Sequence, residues 1–93
     1  MYMTLAIGSI LGRGERGFAV IVSKKAARKA VDRNRIKRRM RAIFREFHSA
    51  FPAGTVVLAY AKSGASRVPM AQLREETGDL LRRAQCVPAD MGQ

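Results

Sequence analysis

Ninety-three residues suffice for one small hydrophobic core, which excludes a second independent domain at this length. Apolar residues make up 47% of the chain and charged residues 27%, ordinary values for a globular domain that exclude wholesale disorder. Eighteen Lys and Arg against seven Asp and Glu leave a net charge of +11, which calls for a polyanionic partner, while the single cysteine, Cys86, excludes an internal disulfide.

The apolar run at residues 2–10, with Thr4, Leu5, Ile7 and Ile10, predicts a strand that Gly8 weakens near its end. Gly12, Gly14 and Gly17 mark a turn over 11–17, and Phe18-Ala19-Val20-Ile21-Val22 predicts a second, buried strand. Two short apolar runs joined by a glycine-rich turn are expected to pair as an antiparallel hairpin. No stretch approaches the roughly 20 apolar residues of a membrane span, and the first ten residues lack the charged start of a signal peptide, so a soluble cytoplasmic protein with no membrane partner is expected.

Residues 23–29 form a basic connector, after which the apolar period lengthens from two to about 3.6 and a helix is predicted from about Ala30. Ile36, Met40, Ile43, Phe44 and Phe47 share one stripe that must face the core, and Phe51-Pro52-Ala53-Gly54 ends the helix. Residues 55–61 (Thr-Val-Val-Leu-Ala-Tyr-Ala) predict a third strand, apolar throughout and so either central or covered on both faces. A loop over 62–68 leads to a closing helix with Pro69 in its first turn and Leu73, Thr77, Leu80, Leu81 and Ala84 at helical spacing. Residues 87–93 are expected to fray. The order strand, strand, helix, strand, helix predicts an α+β two-layer sandwich, with a long basic helix and a C-terminal helix packed on a small mixed sheet in a single domain spanning 1–93.

Between Lys24 and Arg45 stand eleven basic residues against one acid, Asp32, so this segment carries nearly all of the net charge. Solvated helix faces usually mix signs, and this one does not. Like charges at i and i+4, as in Arg33, Lys37 and Arg41, repel by a few tenths of a kcal/mol per pair, so folding alone would not choose them. Arginine prevails over lysine in the helix, which favours forked bonding to phosphate and stacking on bases and hence nucleic acid over lipid.

The run Lys24-Lys25, a spacer, Ala30-Val31-Asp32-Arg33-Asn34-Arg35-Ile36-Lys37-Arg38, then Arg41 and Phe44-Arg45, resembles the signature of the bacterial ribonuclease P protein, and the likeness extends over about residues 16–85. The resemblance implies a ribosomal protein S5 domain 2-like fold with a left-handed crossover between the parallel strands flanking the long helix, the opposite of the usual hand. It further implies an endoribonuclease subunit that binds ribonuclease P RNA and assists removal of the 5′ leader from precursor tRNA. In that enzyme the RNA is the catalyst and holds most of the magnesium, and the chain alone is inactive. The matching positions Arg33, Asn34, Arg35, Lys37, Arg38 and Arg41 become RNA contacts, with Lys24, Lys25, Arg28 and Arg45 beside them, and no obligate protein partner is expected. The family usually begins with a basic segment and a short aromatic helix that lines the leader cleft, whereas this chain starts directly in a strand; Tyr2 is the aromatic candidate for leader contact.

No catalytic or metal-binding residue is predicted. His48 is read as a helix-end histidine, Cys86 as an inert thiol in the tail, and Asp32 as an acid that favours the helix dipole. No Ser-His-Asp set, carboxylate pair or phosphate-cradling glycine loop can be assembled. The alternative readings are a general, ribosomal-protein-like RNA-binding module and an N-terminally truncated homologue without leader binding. An amphipathic helix bound to membrane or to an acidic protein is a third, and it would need the apolar stripe free of the strands.

Overall fold

Residues 2–9 and 15–87 are described by the computed structural model of the chain. Three strands, β1 (Met3–Ser9), β2 (Gly17–Ile21) and β3 (Thr55–Ala61), form one sheet in the order β1-β3-β2. β3 pairs antiparallel with β1, Met3 opposite Ala61 and Ser9 opposite Thr55, and parallel with β2, Gly17 opposite Val56 and Ile21 opposite Tyr60. The expected β1–β2 hairpin therefore does not form, because β3 lies between the two strands. The link between β1 and β2 is long enough to cross the sheet, about 10 Å over two strand spacings, as readily as to turn back. The centre, where ladder bonds are made on both edges, goes to the strand with the most sustained β-forming character. The turn predicted over 11–17 falls largely outside the described residues.

Helix α1 (Ala30–His48) carries the chain from β2 back to β3, and α2 (Met70–Arg83) follows a 3-10 turn at Ala65–Arg67 within the stretch expected as a loop. Pro69 is the N-cap of α2 and not part of its first turn. Both helices lie on one side of the sheet, giving the two-layer α+β arrangement. Ile36, Met40, Ile43, Phe44 and Phe47 of α1 are buried as their spacing requires, against Met3, Val20, Val57 and Ala59 of the sheet and Leu73 and Leu81 of α2. Burial along β3 alternates, with Val57 and Ala59 enclosed and Tyr60 41% exposed, so β3 is central but covered on one face only. Thr77, also buried, donates its hydroxyl to the Leu73 carbonyl at 2.8 Å, which makes a polar side chain tolerable among carbon. Of the other residues expected on the buried stripe of α2, Leu80 is half-buried and Ala84 exposed.

Three local ties fix the ends of these elements. Arg16 Nε donates to the Phe51 carbonyl at 2.6 Å and His48 Nε2 lies 2.9 Å from the Arg16 carbonyl, joining the entry of β2 to the exit of α1. The Glu76 carboxylate accepts the backbone N–H groups of Tyr2 and Met3 at 2.7 and 2.9 Å, joining α2 to the start of β1. Finally, Gln85 at φ 60 reverses the chain after α2, with Cys86 N–H bonded to the Leu81 carbonyl and Gln85 N–H to that of Arg82. That reversal buries Cys86 and Val87, so the expected fraying does not hold for the described start of the tail. Among the described residues no helix is long and apolar enough to cross a membrane.

Phe44 is fully buried and stacks on Phe18 at 5.5 Å, whereas Val31 on the same helix is 67% exposed. Phe44→Ala should cost about 3–5 kcal/mol in urea unfolding and Val31→Ala no more than about 0.5 kcal/mol. Equal costs would mean that α1 presents a different face to the core.

Candidate nucleic-acid interface

The apolar stripe turns the opposite side of α1 outward. Asn34, Arg38, Arg41 and Arg45 recur at spacings of four, three and four, so their side chains stand in one row along the helix. With Lys37 they line a shallow groove, and all but the half-buried Lys37 are exposed. Arg35 stands exposed on the next flank. With the ion-pairing acids placed elsewhere, this row repels itself and attracts a chain of phosphates. A larger concavity lies on α2, but Glu75, Glu76 and Asp79 line it together with Arg82 and Arg83, a mixed lining that suits a polyanion less well than the unmixed row on α1.

The connector before α1 continues the basic surface. Ser23 organises it, its carbonyl accepting the N–H groups of Ala26 and Ala27 at 3.1 and 3.2 Å, while Lys24, Lys25 and Arg28 stay exposed. Because β2 and β3 run parallel, the segments leaving their C-terminal ends emerge side by side. Ser63 Oγ donates to the Lys25 carbonyl at 3.4 Å, which brings Lys62 next to the connector. Lys62 was not singled out from the sequence, since only the strand order makes it a neighbour of Lys24 and Lys25.

Two arginines of α1 are engaged with the protein itself. Arg39 donates Nη1 to the Val68 carbonyl at 2.9 Å and to that of Ser66 at 3.4 Å, tying α1 to the loop before α2. Arg33 donates Nη1 to the carbonyls of Ala27 and Arg28. Tyr2 is half-buried with its ring against Gly64, whose φ of 89° favours glycine and where a Cβ would stand a tight 3.3 Å from the ring. Asp32 lies in the first turn of α1, where the dipole favours it, and His48 and Arg45 lie in the last. Burial pushes the Cys86 thiol pKa up, which keeps it protonated and unreactive.

A family model described as Ribonuclease P matches residues 8–85. The ribonuclease P protein component of Idiomarina loihiensis is 43% identical over 70 residues, which are 75% of this chain and 55% of the relative. That of a Pseudanabaena species is 35% identical over 65 residues, 70% of this chain and 56% of the relative. The chain thus spans a little over half the length of these curated relatives. Among solved structures, the ribonuclease P protein of Thermotoga maritima superposes with a TM-score of 0.73 at 26% identity, covering 88% of this chain and 76% of that one. The Staphylococcus aureus protein shares the fold with a TM-score of 0.69 at 24% identity, over 90% and 77% of the two chains.

If the outward row meets phosphates, Arg38→Ala and Arg41→Ala should each lower the slope of log K against log salt by about 0.7–0.9 for a structured RNA. Arg39→Ala should leave that slope nearly unchanged, because its guanidinium is held by Val68 and Ser66. A slope change for Arg39 equal to that for Arg38 would refute this division of the arginines.

Proposed function

Because this chain belongs to the ribonuclease P family, we propose that it is the protein subunit of an RNA-based ribonuclease P, binding the catalytic RNA and assisting removal of the 5′ leader from precursor tRNA. One observation carries the reading: a single helix anchored by its apolar stripe displays Asn34, Lys37, Arg38, Arg41 and Arg45 along one groove. Neutralising several phosphates there releases their counterions and lowers the repulsion between two RNAs brought together. Arg35, Lys24, Lys25, Arg28 and Lys62 extend the same surface to either side.

In this reading the chemistry belongs to the RNA. Among the described residues no three His, Cys, Asp or Glu side chains are placed so that they could hold a metal ion, and in the basic segment Asp32 stands alone among cations. Magnesium is held by the RNA subunit, and the chain works by binding and placement in the cytoplasm.

The leader fits the open face of the sheet. Thr4, Tyr60 and Ile21 form one row across the three strands, and Ala6, Leu58 and Ala19 the next, none of them charged. Tyr60 and Ile21 are 41% and 38% exposed, and Lys62, Lys24 and Lys25 follow the strand ends at one border. An apolar platform with an exposed aromatic and cations at its rim suits a single strand that stacks its bases and leaves its phosphates outside. Tyr2 packs at the same end of the sheet, and its backbone carbonyl accepts the Lys62 N–H at 2.9 Å.

Reconstitution tests the proposal. The chain alone should cleave no precursor tRNA, and with a bacterial ribonuclease P RNA it should restore 5′ processing at magnesium too low for the RNA by itself. Absence of rescue at every protein concentration would sink the reading. Competition at fixed salt separates it from a general RNA-binding module, which would bind unrelated structured RNAs as tightly as ribonuclease P RNA.

A further inference from the structure

Arg33 opens the Arg-Asn-Arg run, yet its place on α1 differs from that of the arginines in the outward row. At about 100° per residue it extends the buried stripe one turn toward the N-terminus: Arg33, Ile36, Met40, Ile43, Phe44 and Phe47 follow at spacings of three, four, three, one and three. Arg33 is accordingly half-buried, where Arg35, Arg38, Arg41 and Arg45 are exposed. At this end of α1 the connector lies against the helix, with Ala27 buried in the core cluster.

The guanidinium meets this connector at two points. Nη1 donates to the Arg28 carbonyl at 2.7 Å and to the Ala27 carbonyl at 3.0 Å, charge-assisted bonds to two consecutive peptide groups. The same segment is closed from its other end by the Ser23 carbonyl and is touched at Lys25 by Ser63. Besides the Arg33 bonds and the packing of Ala27, the Arg28 end of the connector is held to α1 by the Lys29 carbonyl, which accepts the N–H groups of Asp32 and Arg33 at 3.1 Å each.

We propose that Arg33 is a positioning residue of the RNA interface: its guanidinium holds the connector so that Lys24, Lys25 and Arg28 stand in register with the outward row of α1, and does not itself bind phosphate. The proposal rests on the RNA-binding reading above. It assigns the first arginine of the motif to the protein and the following asparagine and basic residues to the RNA.

A double-mutant cycle on the full chain, read by affinity for a ribonuclease P RNA transcript at fixed salt, tests it. Arg33→Ala should weaken binding about tenfold in the parent chain and less than about twofold in a Lys24→Ala/Lys25→Ala/Arg28→Ala background, because the groups it places are already gone. An equal loss in both backgrounds, or no loss in the parent, would overturn the proposal. Amide exchange in the free protein supplies a readout independent of RNA. The Ala27 amide should exchange about tenfold faster in Arg33→Ala while the amides of β3 keep their protection, and unchanged exchange at Ala27 would also overturn it. Should Arg33→Ala fail to fold, Arg33→Gln, whose single amide group cannot serve both carbonyls with a charged donor, takes its place in both measurements. Should the parent chain bind no RNA, the RNA reading fails and the exchange result alone judges whether Arg33 holds the connector.

Discussion

The burial of five apolar side chains of α1 is the interaction on which everything else hangs. Ile36, Met40, Ile43 and Phe44 are fully enclosed and Phe47 nearly so, each contributing about 1.5–3 kcal/mol by leaving water. Against this, like-charged neighbours such as Arg41 and Arg45 cost about 0.2–0.5 kcal/mol per pair. Carbon therefore wins by a wide margin, and the helix can carry a row of cations that no isolated helix would tolerate. The same burial fixes the rotation of the helix, so the direction in which the cations point is a property of the core.

Carboxylates are kept out of the outward row of α1. Glu75, Glu76 and Asp79 all belong to α2, while the outward row of α1 holds none. The two helices meet through Leu73, Leu81 and Phe47, with Glu46 and Arg74 bridged at 3.1 Å on the surface. With Arg74 41% and Glu46 48% exposed, that bridge adds at most about 1 kcal/mol. The concentration of cations on the connector and the outward row gives the molecule a field that orients an approaching polyanion toward α1 before any contact is made.

Periodicity made α1, β3 and α2 readable from the sequence with nearly correct bounds, because their residues must satisfy a local geometric rule. Strand order was not readable in the same way. The glycine-rich link after β1 permits a hairpin or a crossing, and only the competition of β1 and β2 for the two edges of β3 decides between them. From that one topological fact comes the nearness of Lys62 to Lys24 and Lys25, which no spacing along the chain reveals. Arg39 was hidden for a related reason, since its acceptors at Ser66 and Val68 lie far along the chain. Arg33 is different: its position on the apolar stripe was available in the spacing, but the sign of its charge drew it into the basic flank. Cys86 and Val87 were lost to the expected tail because a reversal at Gln85 carries no glycine to announce it.

The partners of β1 have a temporal meaning. β1 is made before β3, to which it pairs, and before Glu76, which receives its first two N–H groups. More than fifty residues must follow Met3 before either becomes available, so on a translating ribosome β1 waits for seconds with its apolar side chains uncovered. β2 and α1 can pack on one another in the meantime, and the two outer strands gain their shared partner only when β3 emerges.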